Sequence, residues 1–235
     1  MARPDLLAAV DLGSNSFHLQ VGRVVDGQIY ALDSLREVVR LGGGLTSEKR
    51  IDRATQARAL EALGRFGERL RGLPRQAVRA VGTNTLRVAK NAPQFLRDAR
   101  AALGFPIEVI AGREEARLIY LGVAHSMPPA PQKTPYKRLV VDIGGGSTEF
   151  IIGQGLDPIL TESLYMGCVS YSLAYFPDGK IEKPRLRKAE LAARQELAGM
   201  VSAYRAAGWE EAIASSGTAR SLEEILREKD RKSVV

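Results

Sequence analysis

One cysteine, two histidines and one tryptophan are spread over 235 residues, and aromatic side chains make up only 6% of the chain. The lone thiol, Cys168, cannot close an internal bridge, which excludes the disulfide-stapled type of secreted domain. Its neighbourhood, Met166-Gly167-Cys168-Val169-Ser170, offers no histidine partner, so it reads as a small apolar residue at a helix start rather than a nucleophile. His18 and His125 stand alone without ligand spacing and do not make a zinc centre. Few aromatics and no basic block argue against a nucleic-acid polymer as partner. No run approaches the ~20 apolar residues that span a bilayer. Leu6 to Val10 is too short for a secretion signal and ends at Asp11. The expectation is a soluble, cytoplasmic protein.

What is present is a globular composition, 45% hydrophobic and 26% charged, in a length that suits one large domain or two smaller ones. Lysine and arginine number 34 against 27 aspartates and glutamates, a formal charge of +7 that favours polyanionic partners.

One pattern is written twice. Leu6 to Phe17 is an apolar strand ending in Asp11, a turn of Gly13, Ser14, Asn15 and Ser16, and a new apolar run. Arg138 to Phe150 repeats it with Asp142 and Gly144-Gly145-Gly146-Ser147-Thr148-Glu149. Each copy continues as a hairpin and a third strand, through Asp26-Gly27 in the first and Gly153-Gln154-Gly155 in the second. Helical periodicity follows at Arg53–Arg71 and Arg185–Ala206. A short strand then leads to Gly82-Thr83 or Gly217-Thr218, and a helix begins. Copy one adds a strand, Pro106–Ile110, and a helix, Arg113–His125, that copy two lacks. The predicted architecture is α/β, a duplicated βββαβαβα fold of actin-like, ribonuclease H-like type. Its lobes span 1–125 and 136–235, the second truncated by a strand and a helix. A missing strand leaves sheet edge uncovered, so the chain is expected to be a fragment or to be completed by something else. The proline-rich stretch Ser126–Pro135 reads as the linker.

Gly/Ser-rich hairpins after a strand-terminal aspartate suit phosphate, because glycine backbone approaches closely and N–H and hydroxyl groups converge on the anion. Two of them can clamp a phosphate between lobes. Asp11 and Asp142, with Glu149 on the outgoing strand, offer oxygen ligands of the kind Mg²⁺ takes. Gly112-Arg113-Glu114-Glu115-Ala116-Arg117-Leu118 opens a helix, where carboxylates either complement the dipole or supply a base for water. Glu114 falls on a face with Arg117 and Leu121, and Glu115 on one with Leu118, Ile119 and Gly122, which favours Glu115 as the inward residue. Arg87, in Gly82-Thr83-Asn84-Thr85-Leu86-Arg87, is either a surface arginine or a stabiliser of transferring phosphoryl charge.

Five motifs in chain order, Val10–Ser16, Gly82–Arg87, Gly112–Leu118, Asp142–Glu149 and Met166–Ser170, together resemble the Ppx/GppA phosphatases, bacterial exopolyphosphatase above all. The resemblance runs from about Ala8 to about Glu228. It implies a two-lobed actin-like fold that hydrolyses terminal phosphate from inorganic polyphosphate, or from guanosine pentaphosphate, with Mg²⁺. It places the catalytic glutamate on Glu115 and acidic metal-site residues on Asp142 and Glu149. It puts the phosphate hairpins on Ser14, Asn15 and Ser16 and on Gly144, Gly145, Gly146, Ser147 and Thr148, and the phosphate-contacting arginine on Arg87. The last residues, Lys229–Val235, depart from the family's continuation. Two other classes remain open: an ATPase or sugar kinase of the same fold, and a non-catalytic polyanion-binding module. Oligomeric state is left open.

Overall fold

Burial alternates along Leu6–Leu12 (β1), with Ala8, Val10 and Leu12 inside, and this period of two sets a half-covered strand. Phe17–Val25 (β2) pairs with it antiparallel, and Gln28–Glu37 (β3) pairs with β2. Val78–Gly82 (β4) joins β1 in parallel, and Ile107–Val109 (β5) joins β4, giving the order β3-β2-β1-β4-β5. The computed structural model describes residues 5–128 and 136–232. The expected linker Ser126–Pro135 lies largely outside them, as do the last three residues of the tail.

Two helices cover one face of this sheet, Arg53–Leu70 (α1) and Ala92–Leu103 (α3). Leu63, Phe66 and Leu70 of α1 and Phe95 and Leu103 of α3 meet Val10, Leu12, Phe17 and Leu19 in one core. α1 starts at Asp52, whose carboxylate accepts the Thr55 N–H at 2.8 Å and satisfies a donor the helix leaves unpaired. The single helix expected after Gly82-Thr83 is two, Asn84–Val88 (α2) and α3, because Pro93 fits only a helix's first turn.

The second sheet repeats the first. Lys137–Ile143 (β6), Thr148–Gln154 (β7) and Asp157–Leu164 (β8) pair antiparallel in sequence, and Glu211–Ser215 (β9) joins β6 in parallel. The order is β8-β7-β6-β9, so among the described residues no strand occupies the place of β5. Register also corrects the alignment of the Gly-Thr pairs. Leu12 pairs with Gly82 and Asp142 with Ser215, which makes Ser216, not Gly217, the counterpart of Gly82. Ser216 takes a left-handed φ of 89° there.

Gly112–Ser126 (α4) was expected to close the first lobe. Its contacts are instead with the second sheet: Ala116 and Tyr120 pack on Val140 and Ile151, and Tyr120 Oη donates to the Gly155 carbonyl at 3.0 Å. The chain therefore divides into units at Met1–Ala111 and Gly112–Val235 rather than after residue 125. The opposite face of the second sheet carries Lys183–Ala207 (α6), where Met200 and Tyr204 meet Ile152. Cys168–Tyr175 (α5) and Ser216–Lys232 (α7) complete this unit.

Candidate active site

Both hairpins are built alike. A Cβ on Gly13 would lie 2.8 Å from the Ser16 carbonyl oxygen, which bars a side chain there, and one on Gly144 would lie 3.0 Å from that of Ser147, a tight contact that favours glycine. Gly144 N–H closes its turn on the Ser147 carbonyl at 2.9 Å. The segment after each third strand then grips the hairpin through its carbonyls. In the first unit Ser14 O accepts from Gly42 N–H at 2.8 Å and Asn15 O from Arg40 N–H at 2.7 Å. In the second, Gly144 O accepts from Cys168 N–H at 2.9 Å, and Gly145 O from Val169 and Ser170 N–H at 2.9 and 3.0 Å. A trans peptide sets C=O and N–H on opposite sides, so the Gly145 and Gly146 N–H groups turn away from α5. Successive amides aimed together in this way form an anion-binding concavity.

Sequence reasoning missed the first of these clasps, a 3₁₀ turn at Leu41–Gly44 entered through Arg40 in left-handed conformation. The run Gly42-Gly43-Gly44 was its only signal. Arg36 was also missed; its guanidinium donates to Ser16 Oγ at 3.4 Å.

The Gly82–Arg87 motif joins the first hairpin. Thr85 Oγ1 donates to Ser14 Oγ at 2.8 Å, with both side chains buried. Arg87 is half-buried, and its Nη1 donates to the Ile110 carbonyl at 3.0 Å. Asp11 lies on the exposed side of β1, opposite His18 in register.

The second unit gathers carboxylates. Asp142 and Glu149 face each other across β6 and β7, on the side of the sheet that α4 covers. Glu149 is 1% exposed and accepts from Ser163 Oγ at 2.8 Å. Burial above all, then the charge of Glu115, pushes its pKa up to about 7; hydrogen bonds from Ser163 and Ser147 hold it back, and Asp142 adds to the rise. Burial also raises Asp142, against a hydrogen bond with Ser215. The two glutamates at the start of α4 part company. Glu114 forms a double ion pair with Arg117 at 2.7 Å, and this hydrogen bonding holds its carboxyl below the usual range. Glu115 is the one whose charge reaches Glu149. The covered face of α4 runs through Ala116, Ile119, Tyr120 and Val123, whereas Leu118, expected inside with Glu115, is 40% exposed.

Among the described residues no group of three histidine, cysteine, aspartate or glutamate side chains is placed to hold a metal ion. Mg²⁺ is commonly held by one or two carboxylates and completed by water and substrate phosphate. Glu149, buried, and Asp142, half-buried, have pKa values raised chiefly by desolvation and fit that use, since a cation would offset their shared charge.

The model of the Ppx/GppA phosphatase family matches residues 20–235. The chain belongs to that family. The match takes in Arg87, Glu115, Asp142 and Glu149, while Asp11 and the first hairpin precede it. Among solved structures, an exopolyphosphatase-like protein is 27% identical with a TM-score of 0.82, over 91% of this chain and 66% of its own. An exopolyphosphatase from Cytophaga hutchinsonii is 26% identical at the same TM-score, over 98% and 72%. The Ppx/GppA enzyme of Aquifex aeolicus is 26% identical with a TM-score of 0.70, over 91% and 68%. The chain thus spans about two thirds of the length of these relatives. No helix among the described residues is long and apolar enough to cross a membrane.

Proposed function

We propose that this Ppx/GppA chain carries the catalytic residues of a cytoplasmic, Mg²⁺-dependent exopolyphosphatase, which releases terminal phosphate from inorganic polyphosphate by attack of water. The observation that carries the reading is the carboxylate group of the second unit, Glu115 with Glu149 and Asp142, beside the Gly144–Thr148 hairpin. A base for a nucleophilic water must stand beside the bound phosphate, and Glu115 lies close enough to the hairpin's strand for its charge to be felt at Glu149.

Glu115 orients the water and takes its proton while the water oxygen bonds to the terminal phosphorus and the bridging P–O bond breaks. Phosphate leaves, and the shortened polyphosphate keeps the bridging oxygen. Asp142 and Glu149 would hold Mg²⁺, directly or through water; bound there, it supplies charge neutralisation at the phosphate oxygens. The backbone N–H groups of Gly145, Gly146, Ser147 and Thr148 bind phosphate in the second unit, while the Ser147 and Thr148 hydroxyls hold the hairpin through Glu149 and the Met166 carbonyl. Ser14, Asn15, Ser16 and Arg87 do so in the first.

The test is phosphate release from long-chain polyphosphate and, in parallel, from guanosine pentaphosphate, each with Mg²⁺ and each beside Glu115→Ala. Release from polyphosphate that the substitution abolishes supports the reading. Faster release from the nucleotide makes the protein a guanosine pentaphosphate 5′-phosphohydrolase with the same residues in the same roles. Salt-sensitive polyphosphate binding without release from either substrate makes it a polyanion-binding module.

A further inference from the structure

We infer that Asn84 is a phosphate ligand of the first unit, its side-chain amide donating to a phosphate oxygen. The inference rests on the phosphohydrolase reading and deepens it, because neither that reading nor the family resemblance gives Asn84 a role.

Asn84 opens α2 and is 6% exposed, yet its Nδ2 has no hydrogen-bond partner. No other buried side-chain nitrogen or oxygen among the described residues is left so. Its polar neighbours in sequence are differently placed. Thr83 Oγ1 donates to the Leu12 carbonyl at 3.5 Å, Thr85 Oγ1 to Ser14 Oγ at 2.8 Å, and Arg87 Nη1 to the Ile110 carbonyl at 3.0 Å. A donor buried without an acceptor is a net cost to folding, and leucine, of nearly the same shape, would avoid it. An asparagine kept there is explained when an acceptor arrives from outside the protein.

Position and chemistry name the acceptor. β1 and β4 run parallel and end together, with Leu12 opposite Gly82, and ligands of open α/β sheets bind beyond the carboxyl ends of such strands. Asn84 is two residues past that end, and the next residue is bonded to Ser14 of the first hairpin. An NH₂ group can only donate, so it does not serve a cation. A phosphate oxygen, negatively charged and accepting only, fits it, and a hydrogen bond to a charged acceptor is among the stronger kinds.

The experiment uses the full chain and inorganic tripolyphosphate, with binding read by thermal melting and by calorimetric titration. The wild type is expected to melt higher with ligand. Asn84→Leu should melt at the same temperature or higher without ligand, since it removes an unmet donor, and should bind tripolyphosphate about tenfold more weakly or worse. Asn84→Asp, which sets a carboxylate where the amide stood, should weaken binding further. Should leucine disturb the fold, Asn84→Ser, with its shorter reach, is expected to show the same weakening. Wild-type affinity in a folded Asn84→Leu or Asn84→Ser overturns the inference and leaves the phosphohydrolase reading standing. A folded wild type that does not bind tripolyphosphate overturns both.

Discussion

Asp142 and Glu149 stand opposite each other across β6 and β7, as Asp11 and His18 do across β1 and β2. The same hairpin thus presents two carboxylates in one unit and a carboxylate with an imidazole in the other. Both acids of the second unit's pair resist ionising, and this has consequences for stability. The Glu149 pKa of about 7 lies above its ordinary 4.5, so the folded protein holds a proton that the unfolded chain has released between those values. Its stabilising contribution is complete below about pH 4.5 and is lost as pH rises through 7. A shift of this size corresponds to on the order of 3 kcal/mol. Glu149→Gln should therefore raise the urea midpoint at pH 8 and leave it nearly unchanged at pH 4.5. Mg²⁺ should narrow the pH 8 gap by stabilising the wild type alone. Equal effects of the substitution at both pH values would show that Glu149 ionises freely.

Glu115→Gln tests the base and the electrostatics together. Removing a general base costs about 10²–10⁴-fold in rate. The same substitution removes a negative charge felt by Glu149, whose pKa should fall. Steady-state phosphate release and the pH dependence of the urea midpoint are the two measurements. Lost activity with an unchanged pH dependence would place Glu115 away from Glu149. Glu114→Gln, which breaks only the ion pair with Arg117, should leave most of the activity in place.

Much of this was legible in the sequence, because strand alternation and Gly/Ser turns are local signals. The hairpins, the carboxylates beside them and the duplicated strand order could be read from residue types and spacing alone. What could not be read depends on which surfaces meet. The apolar stripe of α4 shows that the helix is covered, but not that Val140 and Ile151 cover it, so chain order alone puts the helix in the first lobe. Leu118 looked like part of that stripe and is not. The grip of Arg40 and Gly42 on the first hairpin is made by backbone N–H groups, which leave little trace in side-chain identity.

Gly167 should prove as important to the second hairpin as the hairpin's own glycines. A Cβ there would lie 2.5 Å from the Gly145 carbonyl carbon and the Gly146 nitrogen, both backbone atoms that cannot swing aside. Gly167→Ala must push the hairpin away from α5 and strain the bonds from Cys168, Val169 and Ser170 that orient its amides. Overpacking of this kind costs about 1–3 kcal/mol. The expected outcome is a lowered melting temperature and weakened tripolyphosphate binding. Unaltered binding would mean that the hairpin's position tolerates the shift.

Two glycines three residues apart in α1 should respond in opposite directions to the same substitution. At Gly64 an added Cβ meets nothing within 4 Å, so alanine brings only the helix preference, about 1 kcal/mol of added stability. At Gly67 the Cβ would lie 2.8 Å from the Ala102 carbonyl oxygen and 2.9 Å from that of Leu103. There α1 lies against the end of α3, whose Leu103 is part of the core. The helix preference is the same at both positions, but at Gly67 it is outweighed by forcing α1 off α3, at about 1–3 kcal/mol. Paired urea melts of Gly64→Ala and Gly67→Ala should thus bracket the wild type, the first above and the second below. Two variants that are both more stable than the wild type would show that α1 and α3 do not meet as closely as this packing requires.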